Sequence, residues 1–197
     1  MQGTKSPMPN LPSPFSMQRG KKEDEGEAIN MNNQDTGRHI PVELDHPFFC
    51  ELVINPPFIT ENIVLFLHEK NYYFGVEGEW PWNEPGQAVS FLYQAWEVQQ
   101  EEIARAFRNR KRESILSEMK RGIGLFLHAL FWSNEQPVSL ASMPEFSNLF
   151  LKPVNCGDRV KFLLDRPALF HSFIQLGQLM DEQHKHFLVN IIKNKKK

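Results

Sequence analysis

The chain has 197 residues, 41% of them apolar and 12% aromatic, which leaves room for one ordinary domain with a real core plus a tail. A formal charge of −2 gives no global attraction to nucleic acid or to a membrane surface. The two cysteines, Cys50 and Cys156, match no zinc or redox spacing, and so few cysteines point to a reducing, cytoplasmic setting.

Residues 1–44 carry the marks of a disordered tail. PMPNLPSP supplies prolines, KKEDEGE mixes charges, and NMNNQDTG is polar without a period. The opening stretch MQGTKSPMPNLPSPFSMQRGKK has no apolar segment of the kind a secretory signal needs. A folded domain is expected over 45–192, followed by a short basic tail at 193–197.

Within that domain the first element predicted is a short helix over TENIVLFLHEK, with Thr60 as its cap and its apolar residues crowded as in a buried segment. GVEGEWPWNEPG (75–86) is a connection carrying Trp80 and Trp82, either an interface or a lid on the core. Val89, Phe91, Leu92, Trp96, Ile103 and Phe107 recur at steps of three and four, which predicts a long helix over about 86–107. A break near Asn109 leads to a third helix, 112–133. Its first half is one-sided, with Leu116, Met119 and Ile123, and its second half, IGLFLHALFW, is apolar all round. The longest apolar run, LFLHALFW (125–132), is too short to span a bilayer, so no membrane partner is expected.

Asn134 and Pro137 end the third helix, and a short irregular element follows around PEFSNLF. Asn155 is placed to cap GDRVKFLL, and Arg166-Pro167 closes that helix and opens the last, 168–192. No stretch alternates with period two long enough to demand a strand. The fold class is therefore all-α: a compact bundle of five or six helices preceded by a disordered N-terminal tail.

Three histidines lie in FHSFIQLGQLMDEQHKHF (170–187), and helix geometry tests whether they form a metal site. At about 100° per residue, with Met180 at the centre of the apolar face, Leu169, Phe173, Leu176, Phe187 and Ile191 share that face. His184 also falls there, whereas His186 points nearly the opposite way and His171 shares the polar side about 22 Å from His186. Three ligands about 2 Å from one ion cannot come from those positions. Asp181-x-x-His184 resembles the inward pairs of carboxylate-bridged metal bundles, but it has no second copy, so a core-edge histidine with a partner is the plainer reading. His128 likewise reads as a buried imidazole tied to a carboxylate or carbonyl. Cys156 sits in a first helical turn beside Arg159, where a helix dipole lowers a thiol pKa, but no base is placed to activate it. Phosphate-binding loops, nucleophile elbows and H-E-x-x-H are absent from the sequence, so no cofactor or metal is expected and an enzyme is the minority reading.

Charge layout is the better clue. Residues 45–102 hold ten acids and one base, Lys70, whereas residues 103–197 hold sixteen bases and eight acids. RAFRNRKRESILSEMKR concentrates Arg105, Arg108, Arg110, Lys111, Arg112, Lys120 and Arg121 in 17 positions. Either the two halves face each other in the fold or the basic turn is simply solvated, or this segment meets an acidic partner or a phosphate backbone. Aromatic residues to stack bases are missing from it apart from Phe107, which the periodicity sends inward.

LFWSNEQPV (130–138) and LKPVNCGDRVKFLLDRPALFHSFIQLGQL (151–179) resemble the YpoC-like family of small bacterial proteins, and PPF (56–58) and WPW (80–82) are compatible with it. The resemblance covers roughly residues 45–190. It implies an intracellular bacterial protein of mostly helical fold and brings no catalytic residues with it. The leading expectation is a non-enzymatic module that binds another protein. A nucleic-acid accessory protein using the basic segment 105–121 comes second, and an enzyme using Cys156 or Asp181/His184 comes last.

Overall fold

The computed structural model describes residues 40–141 and 143–194. Most of the expected tail, 1–39, and residues 195–197 of the basic C-terminal tail lie outside the described residues. Residues 40–44, assigned to the tail, belong to the fold. A 3-10 turn, Val42–Leu44, buries Leu44, and the Leu140 and Ala141 amides donate to the Glu43 carbonyl at 2.7 and 3.2 Å.

Helix α1 (Cys50–Ile54) is short and anchors Val53 in the core. The helix predicted from Thr60 is not formed as expected. Strand β1 (Phe58–Thr60) pairs antiparallel with β2 (Ile63–Val64) around Glu61–Asn62, and helix starts only at α2 (Leu67–Tyr73). The β-branched residues Ile59, Thr60, Ile63 and Val64 favour this hairpin, and the crowding of apolar residues arises because Leu65 and Phe66 leave it and plunge into the core. Phe66 takes a left-handed φ of 60° to make that turn.

Helix α3 (Pro85–Asn109) begins with Pro85, whose fixed φ suits a first turn, and buries Val89, Leu92, Trp96, Gln99 and Ile103 along one stripe. It stops at Arg110, which adopts the left-handed conformation at φ 54°. Two linking residues, Arg110 and Lys111, then fold α4 (Arg112–Trp132) back along α3. From Gly122 to Trp132 every residue of α4 is buried, which makes it the central rod of the domain. Gly122 lies where α3 and α4 meet the last helix. A Cβ there would sit 2.9 Å from Ile103 Cδ1 and 3.0 Å from Leu176 Cδ2, so a larger residue would require these side chains to shift.

Asn134 ends the rod by more than interruption. Its amide donates to the Leu130 and Leu151 carbonyls at 2.7 and 2.8 Å, and its oxygen accepts from the Phe150 and Leu151 amides at 2.9 and 2.7 Å. All four capacities of the side chain are thus spent on pinning the 150–151 loop to the end of α4. Helix α5 (Cys156–Asp165) follows. The expected cap is corrected: Asn155 is left-handed at φ 53° and its side chain makes no capping bond, while its carbonyl accepts from the Arg159 amide. Helix α6 (Phe170–Asn194) buries Phe173, Leu176, Met180 and Phe187 as predicted. Leu169 and Ile191 are not buried with them, and Ser172, Leu179 and Gln183 are, because α6 is rotated toward the α4 terminus where Gln183 bonds Ser133. The helical-bundle architecture holds, with one small hairpin added.

Candidate functional site

The seven bases of the 105–121 segment divide into two groups. Arg105 pairs with Glu102 at 3.0 Å, an exposed contact one turn away on the same helix. Arg121 lies 3.4 Å from Glu118, whose Oε2 also accepts from Gln99 at 2.8 Å. The Lys120 ammonium sits 5.4 Å over the Phe48 ring. Arg105 and Arg121 thus pair within their own helices, and Lys120 reaches across to Phe48. Arg108, Arg110, Lys111 and Arg112 are exposed, and among the described residues none of them has an ion pair.

The acidic and basic halves do not neutralise each other. Among the described residues, the one lysine or arginine of 103–194 that pairs with a carboxylate of 45–102 is Arg105, through its exposed contact with Glu102 on the same helix. Glu84 lies at the start of α3 and the four exposed cations at its end, roughly 37 Å away by helical rise over 25 residues, while Glu97, Glu101 and Glu102 lie along the helix between them. Tertiary structure adds an aromatic residue that the linear segment lacks. Phe107 is half-buried, as its periodicity indicated, but the start of α6 brings Phe170 against it at 5.4 Å, and Phe170 is 57% exposed. The signal for Phe170 in the sequence is its place on the flank of the α6 apolar stripe, which periodicity alone cannot assign to this corner.

A second constellation was not foreseen. Glu69 on α2 is fully buried, and the Trp132 indole N–H donates to its Oε1 at 2.7 Å. His128, also fully buried, bonds the Gly124 carbonyl through Nδ1 at 2.8 Å, which bears out its reading as a tied core histidine. Its Nε2 lies 3.1 Å from the Phe66 amide and 3.4 Å from Glu69 Oε2. Nε2 serves one of them at a time. With its lone pair on the Phe66 amide, Oε2 has no donor; with a proton there, the amide loses its acceptor. Either way this buried trio is one partner short. Complete burial pushes the Glu69 carboxyl up, and the His128 imidazole and the Trp132 bond outweigh it and hold the group below the ordinary carboxylate range.

Trp132 and His68 form the floor of a cavity of about 280 Å³ under the Trp80-Pro81-Trp82 loop. Trp82 is buried and covers the core, and Trp80 is half-buried and walls the cavity, so the loop acts as a lid and also shapes an open recess.

Cys156 is buried in the first turn of α5, and burial pushes its thiol up to about 12, against the smaller downward pull of Arg159 and Lys152. The expected dipole activation is overridden by desolvation. His184 stacks on Tyr93 at 3.8 Å between centroids, while Asp181 is exposed and no hydrogen bond joins the two. Burial holds the His184 imidazole below its ordinary value. His171 and His186 are exposed. Among the described residues no group of three or more histidine, cysteine, aspartate or glutamate side chains is arranged to hold a metal ion. No helix among them is long and apolar enough to cross a membrane.

The profile of the YpoC-like protein family matches residues 86–195, the stretch from the start of α3 to the end of α6. The Bacillus subtilis (strain 168) protein named "Uncharacterized protein YpoC" is 33% identical over 114 residues, which cover 57% of this chain and 70% of that protein. No solved structure matches.

Proposed function

We propose that this chain, which belongs to the YpoC-like family, is a non-enzymatic interaction module that takes an acidic partner protein on the corner between α3 and α4. The observation that carries this reading is the set of four exposed cations, Arg108, Arg110, Lys111 and Arg112, within five positions and without ion pairs among the described residues. Left-handed Arg110 gathers them on one tight turn instead of spreading them along a helix. Such a patch steers an oppositely charged surface and fixes its register.

The reading is tested by capture from nuclease-treated lysate with the wild type and with Arg108/Arg110/Lys111/Arg112→Ala. A partner retained by the wild type and lost by the variant is the expected result. Equal retention by the variant overturns it.

A second reading, binding of a nucleic-acid backbone, is favoured by one observation, exposed Phe170 beside the same corner. Four phosphate contacts then give log K a slope of roughly −3 to −4 against log salt. Absence of any DNA or RNA shift at low salt, or an unchanged shift with the quadruple variant, removes it.

A further inference from the structure

The cavity at the opposite end of α3 is lined by three aromatic side chains, Trp80, Phe91 and Trp132. Glu79 and Glu84 also line it, and no lysine or arginine does. Ligand clefts start near roughly 300 Å³, so a recess of about 280 Å³ suits one compact head group and not a nucleotide or a flavin. Ring faces carry the negative lobe of their quadrupole, and Trp is the most effective of them toward cations. We propose that this cavity binds a compact organic cation, an alkylammonium or guanidinium head, seated on Trp80 above the Trp132 floor and attracted by Glu79 and Glu84.

Three features fit that guest and disfavour an anionic one. The Trp132 N–H is already given to Glu69, so the buried indole on the floor offers an anion no donor. Trp80 stacks on Trp82 at 5.5 Å with their planes 5° apart, and Tyr72 sets its ring edge-on to both, so the wall is preformed and little ordering is needed on binding. The cations that could compete are absent or turned away. Lys70, the one base of residues 45–102, donates to the Val53 carbonyl at 3.3 Å, and burial holds the His68 imidazole on the floor below its ordinary value. The inference is independent of the basic corner, which lies at the other end of α3.

The test titrates the full-length chain with choline, with arginine amide, and with 3,3-dimethyl-1-butanol, the uncharged carbon isostere of choline. The indole N–H signals of Trp80 and Trp132 are followed by NMR. At least one cation is expected to saturate these shifts with a dissociation constant on the order of 1–10 mM, about tenfold or more below that of the alcohol. Choline ahead of arginine amide assigns a methylated ammonium as the natural head group, and the reverse order assigns a guanidinium. Glu79→Gln with Glu84→Gln, both on the surface, is expected to weaken binding about three- to tenfold. Trp80→Leu is expected to remove the saturable shift while Trp132 keeps its dispersed signal, which reports an intact fold. An alcohol that binds as well as both cations, or no saturable shift with either cation up to about 50 mM, overturns the proposal. Unchanged cation affinity in the double glutamine variant overturns the part given to the carboxylates.

Discussion

Trp132→Phe probes the buried trio most directly. The substitution keeps an aromatic ring at a position 2% exposed but deletes the N–H that serves Glu69 Oε1 at 2.7 Å. Glu69 is fully buried, and the variant removes the donor to Oε1, leaving the carboxyl with its own backbone amide and the His128 ring 3.4 Å from Oε2. A hydrogen bond to a charged group contributes about 1.5–3 kcal/mol. The missing half of the indole adds roughly 1–2 kcal/mol for lost apolar burial and the void it leaves. The expected cost is therefore about 3–5 kcal/mol, or roughly 6–20 °C in Tm for a domain of this size. Urea unfolding followed by circular dichroism at neutral pH measures it. The decisive comparison repeats Trp132→Phe in a Glu69→Leu background, where no carboxyl remains to be stranded. There only the packing part, about 1–2 kcal/mol, should persist, giving a coupling of about 2 kcal/mol. An equal cost in both backgrounds would refute the assignment of Trp132 as the partner of a buried carboxylate.

Three further outcomes are expected. Because Glu69 is held below the ordinary carboxylate range, its contribution is complete above the unfolded-state pKa and is lost as pH falls toward the folded one. Glu69→Gln should therefore flatten the stability loss between about pH 5 and 3, and an acid limb identical to the wild type's would argue against it. Gly157→Ala places a Cβ 2.5 Å from the Pro144 carbonyl oxygen, a backbone atom that cannot swing aside, so a loss of about 1–3 kcal/mol in urea unfolding is expected. A change smaller than about 0.5 kcal/mol would mean the 144 segment yields freely. Cys156, buried and pushed up to about 12, should alkylate at pH 8 at least about 100-fold more slowly than half-buried Cys50, as peptide mapping of iodoacetamide adducts would report. Faster labelling of Cys156 would restore it as a reactive thiol.

Periodicity located α3, α4 and α6 to within a few residues, because one long amphipathic stripe repeats its signal over many turns. The same angular count put His184 on the inner side of α6 and His171 and His186 outside, which is where they lie. Short elements were less legible. The run from Thr60 to Lys70 carries too few residues to show a period, and its burial comes from contacts with α3 and α4, so a hairpin followed by a helix passed for a helix. Asn155 has the residue type of a cap, but its backbone is left-handed, a property that composition does not encode.

The amino-acid sequence by itself determined the helical class, the three long helices, and the separation of acidic from basic residues along the chain. Those properties are local sums over neighbouring positions. Arg105 and Arg121 find glutamates one turn away on their own helices, but only the tertiary structure set Lys120 over Phe48. It alone brought Phe170 to Phe107, and Glu69 to Trp132 across 63 positions of chain. Sites of that kind depend on how helices pack in space, and packing is set by side-chain shapes meeting across the core, which no window along one strand of sequence contains.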